Sequence, residues 1–208
     1  MTDCPPREQR VPRGLLHDLA ALDQALYEAV TVTSTPTLDV ALRRLSAAAD
    51  HSKISFAVAG ALALWPGSSR RAAALGVAAI GVASATANLL GKRLVRRPRP
   101  HRAEDSPFPG RHVPMPESAS FPSGHTASAV AFAATVGTAF PAATVPLGLL
   151  ACAVGYSRVH TGVHYPGDVI AGAVLGTGAA SAVLTAARWD GLSTIRPSAL
   201  APFKASRK

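Results

Sequence analysis

Apolar and polar residues fall into separate blocks along this chain. From Ile54 to Gly91 the only charges are Arg70 and Arg71, from Ala119 to Ser157 there are none, and from Val159 to Ala187 only Asp168 is charged. At 1.5 Å per residue, a helix of about 20 apolar residues spans a hydrocarbon core of about 30 Å. Ala72–Leu90 and Val169–Ala187, 19 residues each, fit that length. Thr126–Phe140 and Ala142–Tyr156 have 15 residues each and are parted by Pro141. Ile54–Trp65 has 12 and needs Ser46–Lys53 to lengthen it. Runs this short also suit buried core helices, so a soluble all-α enzyme is the alternative. Two features favour the membrane. Small residues dominate the blocks, as where helices pack without a hydrophobic driving force, and Gly172 and Gly176 form a G-x-x-x-G pair.

The first fifty residues follow another pattern. Leu15, Leu16, Leu19, Leu22, Leu26 and Val30 recur at helical spacing, with Asp18, Asp23 and Glu28 between them. This predicts an amphipathic helix over Leu15–Val32. Ser34-Thr35-Pro36 breaks it, and a second helix restarts with Leu38, Val40, Leu42 and Leu45. The pair either lies at the membrane interface, capping the bundle, or packs on itself as ordinary soluble helices do. Met1–Arg13 is polar and proline-containing, so no cleavable signal is expected there. The expected fold is all-α: a polytopic membrane helix bundle with about five apolar helices plus N-terminal amphipathic helices. Residues 1–53 form the amphipathic part, 54–190 the membrane domain and 191–208 a loose basic tail.

Composition sharpens this picture. Of 208 residues, 48% are hydrophobic and only 16% charged, with a net charge of +9. A disordered chain would be less apolar and more charged. Two cysteines, Cys4 and Cys152, are too few for a disulfide scaffold. The positive balance invites a nucleic-acid reading, but the cations sit at helix ends rather than along one face. No nucleic-acid partner is expected; the bilayer is.

The remaining polar residues form three clusters: Lys92 to Pro100, Phe121 to His125, and Ser157-Arg158 with His164 and Asp168. Alternating helices bring all three to one face of the bundle. Lys92, Arg99 and Arg158 supply fixed positive charge and forked donors suited to phosphate oxygens. Ser123 and Gly124 precede a helix start, where free N–H groups favour an anion. His125 and His164 can act as proton donor and nucleophile near neutral pH. Asp168, four residues after His164, can reach its imidazole and fix the tautomer. The carboxylates a Mg²⁺ or Ca²⁺ site needs are missing. Zinc on His160, His164 and Asp168 is conceivable, but the surrounding cations would repel it, so no metal and no cofactor are expected.

The spacing Lys92-x₆-Arg99-Pro100, then Pro122-Ser123-Gly124-His125, then Ser157-Arg158-x₅-His164-x₃-Asp168 resembles the three-part signature of the type-2 phosphatidic acid phosphatase superfamily. Every signature position is filled, in order, over residues 92–168. The stretch Leu15–Lys53 also resembles the lead-in of actinobacterial members. The resemblance implies a metal-independent phosphatase in which His164 attacks phosphorus and forms a phosphohistidine. It implies that His125 protonates the leaving group and then activates water, and that Asp168 orients His164. Lys92, Arg99, Ser123, Gly124 and Arg158 would hold the phosphoryl oxygens. The superfamily also holds soluble acid phosphatases and vanadium haloperoxidases, which remain the alternative.

Other polar residues receive plainer readings. Arg93, Arg96, Arg97 and Arg102 read as basic flanks of a membrane helix, also able to attract anionic headgroups. His160 shapes the pocket, and His17 and His51 are structural. Asn88 is an interhelical hydrogen-bond partner, and His101 and His112 lie in a loop, Pro98–Ser120, that covers the site. A site at the ends of membrane helices suits a lipid or polyprenyl phosphate whose tail stays in the bilayer. Candidates are phosphatidic acid, phosphatidylglycerol phosphate, undecaprenyl or decaprenyl phosphates, and decaprenylphosphoryl-5-phosphoribose. Lys and Arg number 14 on the side of the clusters and 7 on the other. That excess points to a cytoplasmic active site in the cell (inner) membrane.

Overall fold

The computed structural model describes residues 14–102 and 108–193, so the expected basic tail lies almost wholly outside the described residues. It is all-α, with no strand among them. Helices α1 (Leu15–Val32) and α2 (Pro36–Ala48) lead through a 3-10 turn, Asp50–Ser52, into α3 (Lys53–Ala63). Next come α4 (Ser68–Ala85), a π-helical turn (Thr86–Gly91) and the single turn α5 (Lys92–Leu94). After a short 3-10 turn at Pro109–Arg111 follow α6 (Gly124–Ala139), α7 (Pro141–His160) and α8 (Pro166–Ser193). Prolines set several of these boundaries. Pro36 opens α2, Pro141 opens α7 and Pro166 opens α8, where a missing N–H costs nothing.

Among the described residues three helices are long and apolar enough to cross a membrane: Ser68–Leu94 with 27 residues, Pro141–His160 with 20 and Pro166–Trp189 with 24. The other two apolar helices, α6 with 16 residues and α3 with 11, are shorter. The expected lengthening of the Ile54 block back to Ser46 does not occur. His51 and Ser52 sit at φ 55° and 58°, in the left-handed region, which ends the helical run ahead of α3.

Helix α6 lies at the centre, in contact with α4, α7 and α8. One core cluster joins Ala59, Ala73, Ile80, Phe132 and Val136; a second is all alanine, Ala79, Ala83, Ala127, Ala131 and Ala179. The G-x-x-x-G pair explains this closeness. A Cβ on Gly172 would strike the carbonyl oxygen of Ser123, and one on Gly176 that of Ala127, so α8 rides directly on the α6 backbone.

The amphipathic helix α1 turns its leucines outward. Leu15, Leu19, Leu22 and Leu26 are 48% to 73% exposed, while Tyr27 on another side of the helix is buried. The exposed stripe agrees with an interfacial helix rather than with two helices packed on each other through their leucines. Polar contacts hold α1 instead. The fully buried Arg111 donates to the carbonyls of Val30, Thr31 and Thr33, closing the C-terminal end of α1. Arg111 also pairs with Asp39 of α2 at 3.1 Å.

Candidate active site

The turn between α7 and α8 is built to present His164. Gly162 adopts φ 72°, and a side chain there would crowd Arg102 and Tyr27, so glycine is required at this tight corner. Both Val163 N and His164 N then donate to the Arg158 carbonyl. Arg102 fastens the same turn, donating to the carbonyls of Thr161 and Gly162 and to that of Val113 in the facing loop. At the start of α8, Asp168 is wholly buried. Its Oδ2 accepts hydrogen bonds from Ser120 Oγ and from Tyr165 N (2.9 Å), and lies 3.4 Å from His164 Nδ1. Its Oδ1 is paired with Arg97 at 3.1 Å.

With Nδ1 on the carboxylate side, His164 Nε2 lies 3.3 Å from Arg99 Nη1. Burial, then the positive charges of Arg99 and Arg158, lower the His164 pKa to about 4 against the pull of Asp168. The imidazole is therefore neutral at physiological pH. The cations are already engaged. Arg99 donates to Val163 O (2.7 Å) and Ser118 O (2.8 Å), and Lys92 Nζ donates to Ser118 Oγ (3.1 Å). Arg158 is buried, bonds Ser46 Oγ at 2.7 Å, and keeps its Nε without a partner among the described residues. Its Nη1 also lies 3.6 Å from the Asp50 carboxylate.

Lys92, Arg99, Gly124, His125, Arg158 and His164 line one cavity of about 440 Å³. Ser123 and Asp168 are fully buried behind it. Ser123 caps α6, its Oγ accepting from Thr126 N and Thr126 Oγ1, while its own N–H donates to Asp168 O. The Ser123 hydroxyl therefore does not face the cavity. His125 points its Nε2 at Asp50, 2.8 Å away on the 3-10 turn. The sequence matches the PAP2 superfamily over residues 72–191. The chain belongs to this superfamily and is a phosphatase of its membrane branch.

Decaprenylphosphoryl-5-phosphoribose phosphatase of Mycobacterium tuberculosis is 36% identical over 174 residues, covering 81% of this chain and 88% of that one. Among solved structures, Aquifex aeolicus LpxE superposes with a TM-score of 0.66 at 25% identity, covering 79% of this chain and 95% of its own. The first transmembrane PAP2-type phosphatidylglycerolphosphate phosphatase, from Bacillus subtilis, gives 0.65 at 21% identity, covering 87% and 89%.

Several residues of this PAP2 chain depart from their sequence readings. Arg97 and Arg102 are not simple basic flanks. Arg97 bridges the buried Asp168 to Asp23 of α1 (2.7 Å) and stacks 4.0 Å over the Tyr165 ring. His51 lines the cavity, and so does Asn88, which bonds Ser84 of its own helix rather than a neighbouring one. His160 bonds Asp39 and stays outside the cavity; neither His101 nor His112 lines it. Asp50, Ser118 and Ser120 lie outside the three motifs, and their side chains meet partners 19 to 108 residues away. No local spacing announces such pairs.

Proposed function

We propose that this protein hydrolyses a phosphomonoester or pyrophosphate of a lipid or polyprenyl carrier, without metal, through a phosphohistidine on His164. The observation that carries the reading is the two-sided setting of His164: Nδ1 beside Asp168, Nε2 beside Arg99 in the cavity. Nε2 attacks phosphorus in line, and the bond to the leaving oxygen breaks with its electron pair going to that oxygen. His125, supported by Asp50, delivers a proton there. His125 then takes a proton from water, whose oxygen attacks phosphorus; the P–N bond breaks, its pair returns to Nε2, and inorganic phosphate leaves. Lys92, Arg99, Arg158 and the N-terminal end of α6 at Gly124 receive the phosphoryl oxygens and their transition-state charge. Ser123 serves this anion site by capping that helix end, and Asp168 keeps Nδ1 protonated and stabilises the developing imidazolium.

The mycobacterial relative supports a polyprenyl-linked phosphosugar among the candidate substrates. The chain is an integral membrane protein, and we assign it to the cell membrane. The excess of Lys and Arg on the motif side of the sequence, 14 against 7, supports a cytoplasmic active site. The deciding experiment is a hydrolysis screen of detergent-purified protein against lipid and polyprenyl phosphates, with a quenched phosphoenzyme assay. Alkali-stable, acid-labile phosphate on the enzyme, absent from His164→Ala, is expected. Full activity in His164→Ala overturns the reading.

A further inference from the structure

The cavity is larger than its phosphate site requires. Its volume of about 440 Å³ matches roughly fifteen water-sized groups of about 30 Å³ each, of which a phosphoryl group fills about five. Part of the remaining wall is the Asp50–Ser52 turn and the Val113–Pro116 stretch of the facing loop, and the rest follows two ladders. On α4 and its continuation, Ser84, Asn88 and Lys92 line the cavity at intervals of four residues. On α6, Ser128 lines it one turn below Gly124 and His125. Lys92 and His125 therefore mark the phosphate end, and the uncharged groups lie one to two helical turns further along. From Lys92 to Ser84 the helical rise is about 12 Å, enough for a phosphate and one further ring.

These groups have hydrogen-bonding capacity to spare. Asn88, which is exposed, gives its amide N–H to Ser84, and its carbonyl oxygen has no donor among the described residues. The hydroxyls of Thr126, Thr135 and Thr138 on α6 are spent on neighbours within that helix. Ser128, 5% exposed and lining the cavity, has no such bond among the described residues. Ser128, buried in an alanine-rich bundle without a bond, loses free energy unless an occupant satisfies it. An acyl glycerol directly behind the phosphate would bring ester and hydrocarbon groups to this wall and leave its donors unpaired.

We propose that Ser84, Asn88 and Ser128 form a sugar subsite, receiving the hydroxyls of a carbohydrate that carries the scissile phosphate. This rests on the phosphatase reading and narrows the leaving alcohol to a polyhydroxylated ring. The test compares ribose 5-phosphate with hexyl phosphate, two soluble probes that differ in hydroxyls, on the detergent-purified full chain. The ratio of their kcat/KM values is internal to each preparation, so partial misfolding does not distort it. Asn88→Leu and Ser128→Ala are each expected to lower the ribose-to-hexyl ratio about tenfold, the effect of one hydrogen bond. An unchanged ratio in both variants overturns the subsite. Calorimetric binding of both probes to His164→Ala needs no turnover and so separates this proposal from the reaction itself. Tighter binding of ribose 5-phosphate, lost on adding Asn88→Leu, supports the subsite; equal binding of the two probes refutes it.

Discussion

Asp23 on the amphipathic helix and Arg97 within the first motif form a 2.7 Å ion pair, and the same guanidinium reaches the buried Asp168. Asp23 also accepts the Gly167 N–H at 2.6 Å, and Tyr27 meets Tyr165 edge to face at 5.3 Å. The N-terminal helix is thus fastened to the residue that orients the nucleophile. Arg97→Met strips a buried carboxylate of its countercharge. A fall in kcat of about 10- to 100-fold with KM little changed is expected, from the usual loss when a supporting partner is removed. Steady-state kinetics on one soluble phosphate checks it. Asp23→Asn should give a smaller fall of the same kind.

The acid limb of the pH–rate profile should report His164 together with His125, whose pKa burial and the Arg158 charge also lower to about 4. The His164 imidazole must be neutral to attack, so kcat/KM should fall as pH drops through about 4. Arg99 disfavours the imidazolium, so removing that charge raises the pKa. Arg99→Gln should therefore move the acid limb to higher pH, besides lowering activity. Both proteins are measured on the same substrate, so the substrate's own ionisation cancels. A limb that stays in place would separate Arg99 from the nucleophile.

Asp50→Asn should weaken general acid catalysis selectively. The loss is expected to reach about tenfold for alkyl phosphates and to shrink for nitrophenyl phosphate, whose leaving group needs little protonation. Plotting log kcat/KM against leaving-group pKa for the wild type and variant gives the two slopes. Parallel lines would mean that Asp50 only supports the fold.

Chelation distinguishes the reaction class. Incubation with EDTA should leave hydrolysis unchanged, since cationic side chains perform the charge neutralisation assigned here. Activity lost to EDTA and restored by a divalent ion would remove the mechanism.

Gly176→Val tests the packing that shapes the site. Two methyl groups have no room against the Ala127 carbonyl, so α8 must shift away from α6. Overpacking of this kind destabilises by about 1–3 kcal/mol or more. A lower thermal aggregation midpoint in detergent is expected, with partial loss of activity because Asp168 and Ser123 are bonded across the same seam.

Much of this architecture was legible in the residue pattern. The leucine spacing predicted α1 as Leu15–Val32, the bounds it adopts, and Pro141 parts α6 from α7 where expected. The alternation of helices across the membrane brought the three motifs to one face. What stayed hidden was long-range. Arg97 reads as one basic residue among four near a helix end, and only the folded chain puts Asp168, 71 residues on, beside it. Asp50 sits between two helices with no motif around it, and its value depends on a left-handed corner at His51 and Ser52. The direction of the leucine stripe was equally invisible, because periodicity defines a face and not its neighbour.

One serine has a consequence for turnover. Ser118 holds Lys92 through its hydroxyl and Arg99 through its hydroxyl and its carbonyl. In the resting enzyme it occupies the donors a phosphate would use, so an arriving anion exchanges partners instead of meeting bare charges. The net gain on binding is the difference between two sets of hydrogen bonds, not the whole of one. The free phosphate left at the end of each cycle faces the same competitor. Ser118 and an anion are thus alternative partners for Lys92 and Arg99, and neither cation is left bare when the cavity empties.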